Sequence, residues 1–183
     1  MTGPTRVGVG AEGMVPPALG TGDGARREAV GMAGSAWRRS VLAAGVIGAA
    51  VMAAVDEIVF HQLLGWHHFY DRSTLSVGLL ADGLLHAAEL LALVGGFFWF
   101  ADLRRRGALL PRAAWGGFLL GAGAFQLFDG VVDHKVLRLH QIRYGVHLLP
   151  YDVVWNSSGA VLLLAGAAVV WRARRRPRPG GRP

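Results

Sequence analysis

One stretch of the sequence predicts the class of fold. Residues 40–55 read SVLAAGVIGAAVMAAV, and residues 56–68 continue as DEIVFHQLLGWHH. Together they form an apolar run of about the 20 residues that a helix needs to cross a bilayer core. The polar side chains of Asp56, Glu57 and His61 fall inside this helix, where they are costly unless they face a partner, a cavity or a cation. The stretch therefore predicts a transmembrane helix with a polar cluster near one end.

Three further apolar runs predict helices over residues 77–101, 113–134 and 153–171, after a first helix over residues 40–64. Hydrophobic residues make up 52% of the chain and charged residues 17%, and the charges lie mostly between the runs. This composition predicts an all-α bundle of four transmembrane helices over residues 37–172, with the lipid bilayer as its surroundings. Residues 1–36, rich in Gly, Ala and Pro, are predicted to be disordered, and residues 173–183 form a basic tail.

Basic residues predict the orientation of the bundle. Arginines crowd the first helix start, the loop between helices two and three, and the C-terminal tail. Because basic loops stay on the cytoplasmic side, both termini are predicted to be cytoplasmic, in a bacterial inner membrane. The net charge of +7 is thereby explained without a nucleic-acid partner. Arg38 and Arg39 before an apolar run also resemble a twin-arginine signal peptide, a rival that the internal repeat opposes.

An internal repeat links the first and third helices. Residues 56–67 read DEIVFHQLLGWH and residues 129–140 read DGVVDHKVLRLH, without a gap at an offset of 73. A weaker match joins DGLLH at residues 82–86 to DVVWN at residues 152–156, at an offset of 70. The chain is therefore predicted to consist of two repeated helical hairpins that run in the same direction, related by an axis along the membrane normal.

This topology brings the polar groups of all four helices to one level, toward the extracytoplasmic side. On helix two, Asp82, His86 and Glu89 share one stripe at about 100° per residue. Imidazole and carboxylate groups from neighbouring helices can converge on one cation. The candidate metal ligands are His61, His86, His134, Asp56, Asp82, Asp129, Glu57, Glu89, Asp133, His67, His68 and His140.

The residue types narrow the choice of metal. The chain has no cysteine, which excludes disulfides, thiolate ligands and thiol catalysis. Met52 is the only methionine within a predicted helix, so a soft Cu(I) site is disfavoured and Zn, Fe, Mn or Cu(II) stay open. The histidines of the outer loops, His67, His68, His140 and His147, are predicted to form an entry path or to complete the ligand set.

Several functions fit this pattern. The leading hypothesis is a membrane metalloprotein that binds or delivers a metal, or uses it in catalysis, although no nucleophile beyond the weak candidates Ser157 and Ser158 is evident. One alternative is a bis-histidine haem protein for electron transfer. Another is a proton- or cation-coupled transporter, which would need a homo-oligomer. The alternative without a ligand is a polar network that only fixes helix packing.

The motifs ending in Gln62-Leu63-Leu64-Gly65-Trp66-His67-His68, together with DGLLH and DGVVDH, resemble a bacterial family of four-helix membrane proteins of unknown function. The likeness covers about residues 40–172. This chain departs from the family pattern in having Glu57 in place of Gly, and Lys135 and Gln141 in place of His. The number of metal ions therefore stays open. The family often accompanies assembly factors of the haem-copper cytochrome oxidase, so the resemblance implies respiratory copper handling and such factors as partners.

Overall fold

Four long helices make up the part of the chain that the computed structural model describes, which is Gly3 and residues 22–175. Their bounds are α1 (Gly22–Asp56), α2 (Leu75–Arg105), α3 (Pro111–Leu127) and α4 (Leu148–Arg175). Without a break, α1 continues as a π-helical segment over Glu57–Leu63, and α3 as a second one over Phe128–Val136. All four helices are long and apolar enough to cross a membrane. This confirms the predicted all-α fold with four transmembrane helices.

The helix ends differ from the prediction most at the N-terminus. Helix α1 begins at Gly22 rather than near residue 40, so residues 22–36, which were predicted to be disordered, are helical. Residues 25–30 combine Ala, Arg and Glu, which favour helix, and this preference outweighs the glycines around them. The predictions of disorder for residues 4–21 and of a basic tail over residues 176–183 lie outside the described residues.

Helices α1 and α3 form the centre of the bundle and touch through glycines. A Cβ atom added at Gly121 would overlap the carbonyl oxygen of Gly45, and one at Gly117 would overlap that of Val41. Lipid gives apolar side chains no hydrophobic reason to associate, so close backbone packing at small residues supplies the attraction between membrane helices. Because Val41 pairs with Gly117 and Gly45 with Gly121, the two helices run in parallel.

Helices α2 and α4 flank this pair in matching ways. Gly96 of α2 packs against Ile47 of α1, and Gly166 of α4 packs against Leu120 of α3. The two contacts are related by the same offsets as the sequence motifs, 73 between Ile47 and Leu120 and 70 between Gly96 and Gly166. Each hairpin therefore packs its second helix onto its first at the same place.

The two π-helical segments also end in the same way. Leu64 N donates to Val59 O at 2.9 Å, and Leu137 N donates to Val132 O at 2.7 Å. The next residue in each case has a left-handed backbone, with φ of 57° at Gly65 and 52° at Arg138. All these positions are 73 residues apart. The loops over residues 64–74 and 137–147 consequently leave the bundle at the same end, opposite the end where Arg174 lies 3.9 Å over the Trp37 ring.

Candidate metal centre

The π-helical segments align an aspartate with a histidine five residues later. Asp56 Oδ2 lies 3.6 Å from His61 Nε2, and Asp129 Oδ2 lies 3.3 Å from His134 Nε2. In an α-helix, residues five apart point about 140° away from each other. The π-helix instead joins residue i to residue i+5 by its hydrogen bonds, so the two side chains come to the same side. The backbone geometry thus creates one Asp–His pair in each hairpin.

A second histidine reaches each pair from the loop that follows. His67 Nδ1 donates a hydrogen bond to Ile142 O at 2.9 Å, and His140 Nδ1 donates one to Phe69 O at 3.0 Å. Each loop therefore holds the histidine of the other hairpin, and we call these two bonds the crossed hydrogen bonds. A neutral imidazole whose Nδ1 carries the proton has a free lone pair on Nε2. Metal-binding histidines in proteins are usually held in this way.

Burial keeps the loop histidine His67 neutral. Its transfer away from water lowers the pKa of His67 to about 2, and the neighbouring His140 and His61 rings act in the same direction. A neutral imidazole is the form that binds a metal ion. The Nε2 lone pair of His67 is therefore available without the prior loss of a proton.

The four histidines form one buried cluster. Ring centroids lie 4.4 Å apart for His61 and His67, 4.6 Å for His134 and His140, and 4.5 Å for His67 and His140. None of the four is more than 4% exposed, and Asp56 and Asp129 are each 3% exposed. The Nε2 atoms of His61 and His67 are buried without a hydrogen-bond partner. Buried polar atoms rarely stay unpaired, so this cluster suits a bound cation.

Two sets of three side chains in this cluster meet the spacing of a metal site. Their ligand atoms lie within 4.8 Å of one another in His61, His67 and His140, and likewise in Asp129, His134 and His140. His134 Nε2 lies 2.9 Å from His140 Nε2, and His140 Nε2 lies 3.5 Å from Asp129 Oδ1. His67 and His140, which were predicted to form an entry path or to complete the ligand set, are thus central members of the cluster.

Carboxylates surround the far side of His61. Its Nδ1 lies 2.8 Å from Glu57 Oε2 and 3.1 Å from Asp82 Oδ1. Asp82 also lies 2.6 Å from His68 Nδ1 and accepts a hydrogen bond from Phe69 N at 2.7 Å. The ligand atoms of Glu57, His61 and Asp82 also lie within 4.8 Å of one another. Because His61 Nδ1 donates to these carboxylates, they orient the ring and leave its Nε2 free.

In the second hairpin, His134 lacks the carboxylates that surround His61 in the first. Gly130 stands where Glu57 stands in the first, and a Cβ atom there would lie 2.5 Å from Asn156 Oδ1. Asp152, the counterpart of Asp82, pairs instead with Lys135 at 2.6 Å. His134 Nδ1 is consequently buried without a hydrogen-bond partner.

Three predicted site residues, among those that the structure describes, form no ion pair with the cluster. His86 pairs with Glu89 at 2.6 Å, and its side chain is 55% exposed. The stripe of Asp82, His86 and Glu89 is therefore split, since Asp82 contacts His61 while Glu89 holds His86 at the outer surface of α2. Asp133 is buried, but its carboxylate forms no ion pair with any residue between 22 and 175.

Comparison with known proteins identifies one family. No curated protein and no solved structure matches the chain. Residues 43–173 match the profile of a family described as "predicted membrane protein (DUF2243)", which confirms the resemblance to four-helix membrane proteins of unknown function. The match covers both hairpins and all the residues of the buried cluster. The chain therefore belongs to this family of multi-pass membrane proteins.

Proposed function

We propose that this protein binds a transition metal inside its transmembrane bundle, through Asp56, His61, His67, Asp129, His134 and His140. The observation that carries the proposal is the cluster of four buried imidazoles, in which the Nε2 atoms of His61 and His67 have no hydrogen-bond partner. Their Nδ1 atoms donate to a backbone carbonyl or to carboxylates, which leaves both Nε2 lone pairs available. A network that only fixed helix packing would pair these atoms with one another.

The donor set supports a borderline metal ion. Imidazole and carboxylate ligands suit Zn, Fe, Mn and Cu(II), and the chain has no cysteine to favour a softer ion. The rings also oppose the haem alternative, because neighbouring centroids lie only 4.4 to 4.6 Å apart. A porphyrin needs a wide slot between two opposed imidazoles. No such slot separates rings that already touch.

The role that this centre supports best is metal binding and handling. Ser157 and Ser158 are exposed on α4, and Ser158 Oγ donates to the Val154 carbonyl, so neither serves as a nucleophile at the cluster. The matching packing of the two hairpins supports their origin as a repeat. With both termini cytoplasmic, the centre would lie toward the outer side of a bacterial inner membrane. The family resemblance extends this role to metal supply for assembly factors of a respiratory oxidase.

Elemental analysis of the detergent-purified full chain tests the proposal. We expect stoichiometric metal in the wild type and less than a tenth of it in the double variant His61→Ala/His134→Ala, because each hairpin then loses a ligand. The matched control is His86→Ala, since His86 is exposed and paired with Glu89 outside the cluster. It should keep the wild-type metal content. Size-exclusion profiles of all three proteins check that the bundle is intact.

Two results would contradict the proposal. One is a wild-type protein that carries no metal even after incubation with Zn, Fe, Mn and Cu salts. The other is a Soret band in the absorption spectrum, which would replace the metal centre with haem.

A further inference from the structure

The orientation of the ring planes divides the four histidines into two pairs. The lone pair of an imidazole nitrogen lies in the plane of its ring, so a bound ion must lie in the planes of all the rings that hold it. The planes of His67 and His140 are stacked, with an interplanar angle of 7° and centroids 4.5 Å apart. Two parallel, separated planes share no point. One ion therefore cannot take both His67 and His140 as ligands, although the ligand atoms of His61, His67 and His140 lie within 4.8 Å of one another.

Within each hairpin the geometry is the opposite. The rings of His61 and His67 are inclined at 69°, and those of His134 and His140 at 80°. Planes at such angles intersect, so the two rings of a pair can share an ion. The other two pairs that cross between hairpins are also inclined, at 71° and 81°, but are more distant, at 5.9 Å for His61 and His140 and 6.0 Å for His67 and His134. The parallel planes exclude the pair His67 and His140, and the longer distances disfavour the other two cross pairs, so each histidine groups with its own hairpin.

The carboxylates complete the same grouping. Around a tetrahedral ion with bonds of about 2.0–2.1 Å, ligand atoms lie about 3.3 Å apart. In the second hairpin, the Nε2 atoms of His134 and His140 lie 2.9 Å apart, Asp129 Oδ2 lies 3.3 Å from His134 Nε2, and the other oxygen, Oδ1, lies 3.5 Å from His140 Nε2. In the first hairpin, the corresponding distance between Asp56 and His61 is 3.6 Å.

We infer that the centre holds two metal ions, one bound by Asp56, His61 and His67 and the other by Asp129, His134 and His140. This inference rests on the proposed function and adds the number of ions and the ligands of each. Two histidines and one carboxylate leave open positions on each ion, as in catalytic and oxygen-binding sites. The ligand class that fits these positions is water or a small oxygen-donor anion. Adjacent ions can share such a ligand.

Zinc loading of the full chain in detergent, followed by desalting and elemental analysis, tests the inference. We expect two zinc ions per chain in the wild type and in the control His86→Ala. We expect one in His61→Ala and one in His134→Ala, because each variant removes a ligand from a single half of the centre. The isosteric variants Asp56→Asn and Asp129→Asn serve in the same assay if an alanine variant does not fold.

A spectroscopic measurement distinguishes two bound ions from one independently of elemental analysis. After loading with Cu²⁺, the electron paramagnetic resonance spectrum of the wild type should show coupled ions, and each single variant should show an isolated ion. One zinc per chain that disappears in either single variant would overturn the inference and leave a single shared ion. Two zinc ions that both disappear in a single variant would also overturn it. No zinc in the wild type would instead contradict the proposed function itself.

Discussion

The first hairpin surrounds His61 with carboxylates, whereas the second leaves His134 Nδ1 without a partner. In the first, Glu57 and Asp82 both accept a hydrogen bond from His61 Nδ1. In the second, Gly130 replaces Glu57, and Lys135 neutralises Asp152, the counterpart of Asp82. The residues that meet at the centre are nevertheless the same in both hairpins. The difference is confined to the layer of side chains behind them.

This difference predicts that the proposed ligands of the two hairpins bind a metal ion with different affinities. A carboxylate behind a histidine fixes its tautomer and raises its basicity, which strengthens the bond to a metal. His61 has this support and His134 does not. We therefore expect the ion of the first hairpin to bind more tightly.

Gly121→Ala should disrupt both hairpins and so remove the difference between them. The added Cβ atom would overlap the Gly45 carbonyl oxygen, so α1 and α3 must move apart and both halves of the centre with them. Overpacking of this kind costs about 1–3 kcal/mol. Thermal unfolding in detergent and elemental analysis should show lower stability and metal loss in both hairpins. Gly83→Ala is the control, because no heavy atom lies within 4 Å of its added Cβ, and equal behaviour of the two variants would contradict the glycine contact.

Asp82→Asn and Asp152→Asn should show the clearest difference in metal affinity between the two hairpins. Asp82 contacts His61, so its substitution should weaken metal binding in the first hairpin about 10–100-fold. Asp152 pairs with Lys135 and not with His134, so Asp152→Asn should leave the affinity of the second hairpin within about twofold. Zinc titration against a competing chelator measures both. Equal losses in the two variants would refute the difference between the hairpins.

Glu57→Gln should have a smaller effect than Asp82→Asn. It removes a charge beside His61 Nδ1 but leaves Asp82 to accept the hydrogen bond, so the affinity of the first hairpin should fall about tenfold or less. Gln62→Ala is a matched control, because Gln62 is exposed and reaches the centre only through Glu57. A larger loss in Gln62→Ala than in Glu57→Gln, measured by the same titration, would disprove this assignment.

The left-handed turns after the π-helical segments should respond in opposite directions. Gly65→Ala places a Cβ atom on a backbone with φ of 57° and should destabilise the protein by about 1–2 kcal/mol. Arg138→Gly relieves the same strain at φ of 52° and should stabilise it by about 1 kcal/mol. Chemical unfolding in detergent reports both changes. Shifts of the same sign would show that the two turns are not equivalent.

Apolar runs and the repeated motif were enough to predict the four helices and the inclusion of His61 and His134 in a buried polar cluster. The π-helical segments were missed because seven and nine residues are too few for a hydrophobic period to reveal the wider turn. One signal was present, namely the five-residue spacing from Asp to His in both motifs. The crossed hydrogen bonds were beyond prediction, since backbone carbonyls at Phe69 and Ile142 carry no sequence signature. Helical periodicity grouped His86 with the cluster but could not reveal its pairing with Glu89 at the surface of α2.

The crossed hydrogen bonds determine when the cluster can assemble during synthesis and membrane insertion. His67 is synthesised early, but its acceptor Ile142 lies beyond the third helix, so its ring is held only after the third helix has entered the membrane. His140 in turn requires Phe69 of a hairpin that is already inserted. A nascent chain that stops before residue 142 thus carries no finished binding site. On the proposed function, metal uptake would be the last step of biogenesis, and a cell that lacks the metal would accumulate an inserted, empty precursor.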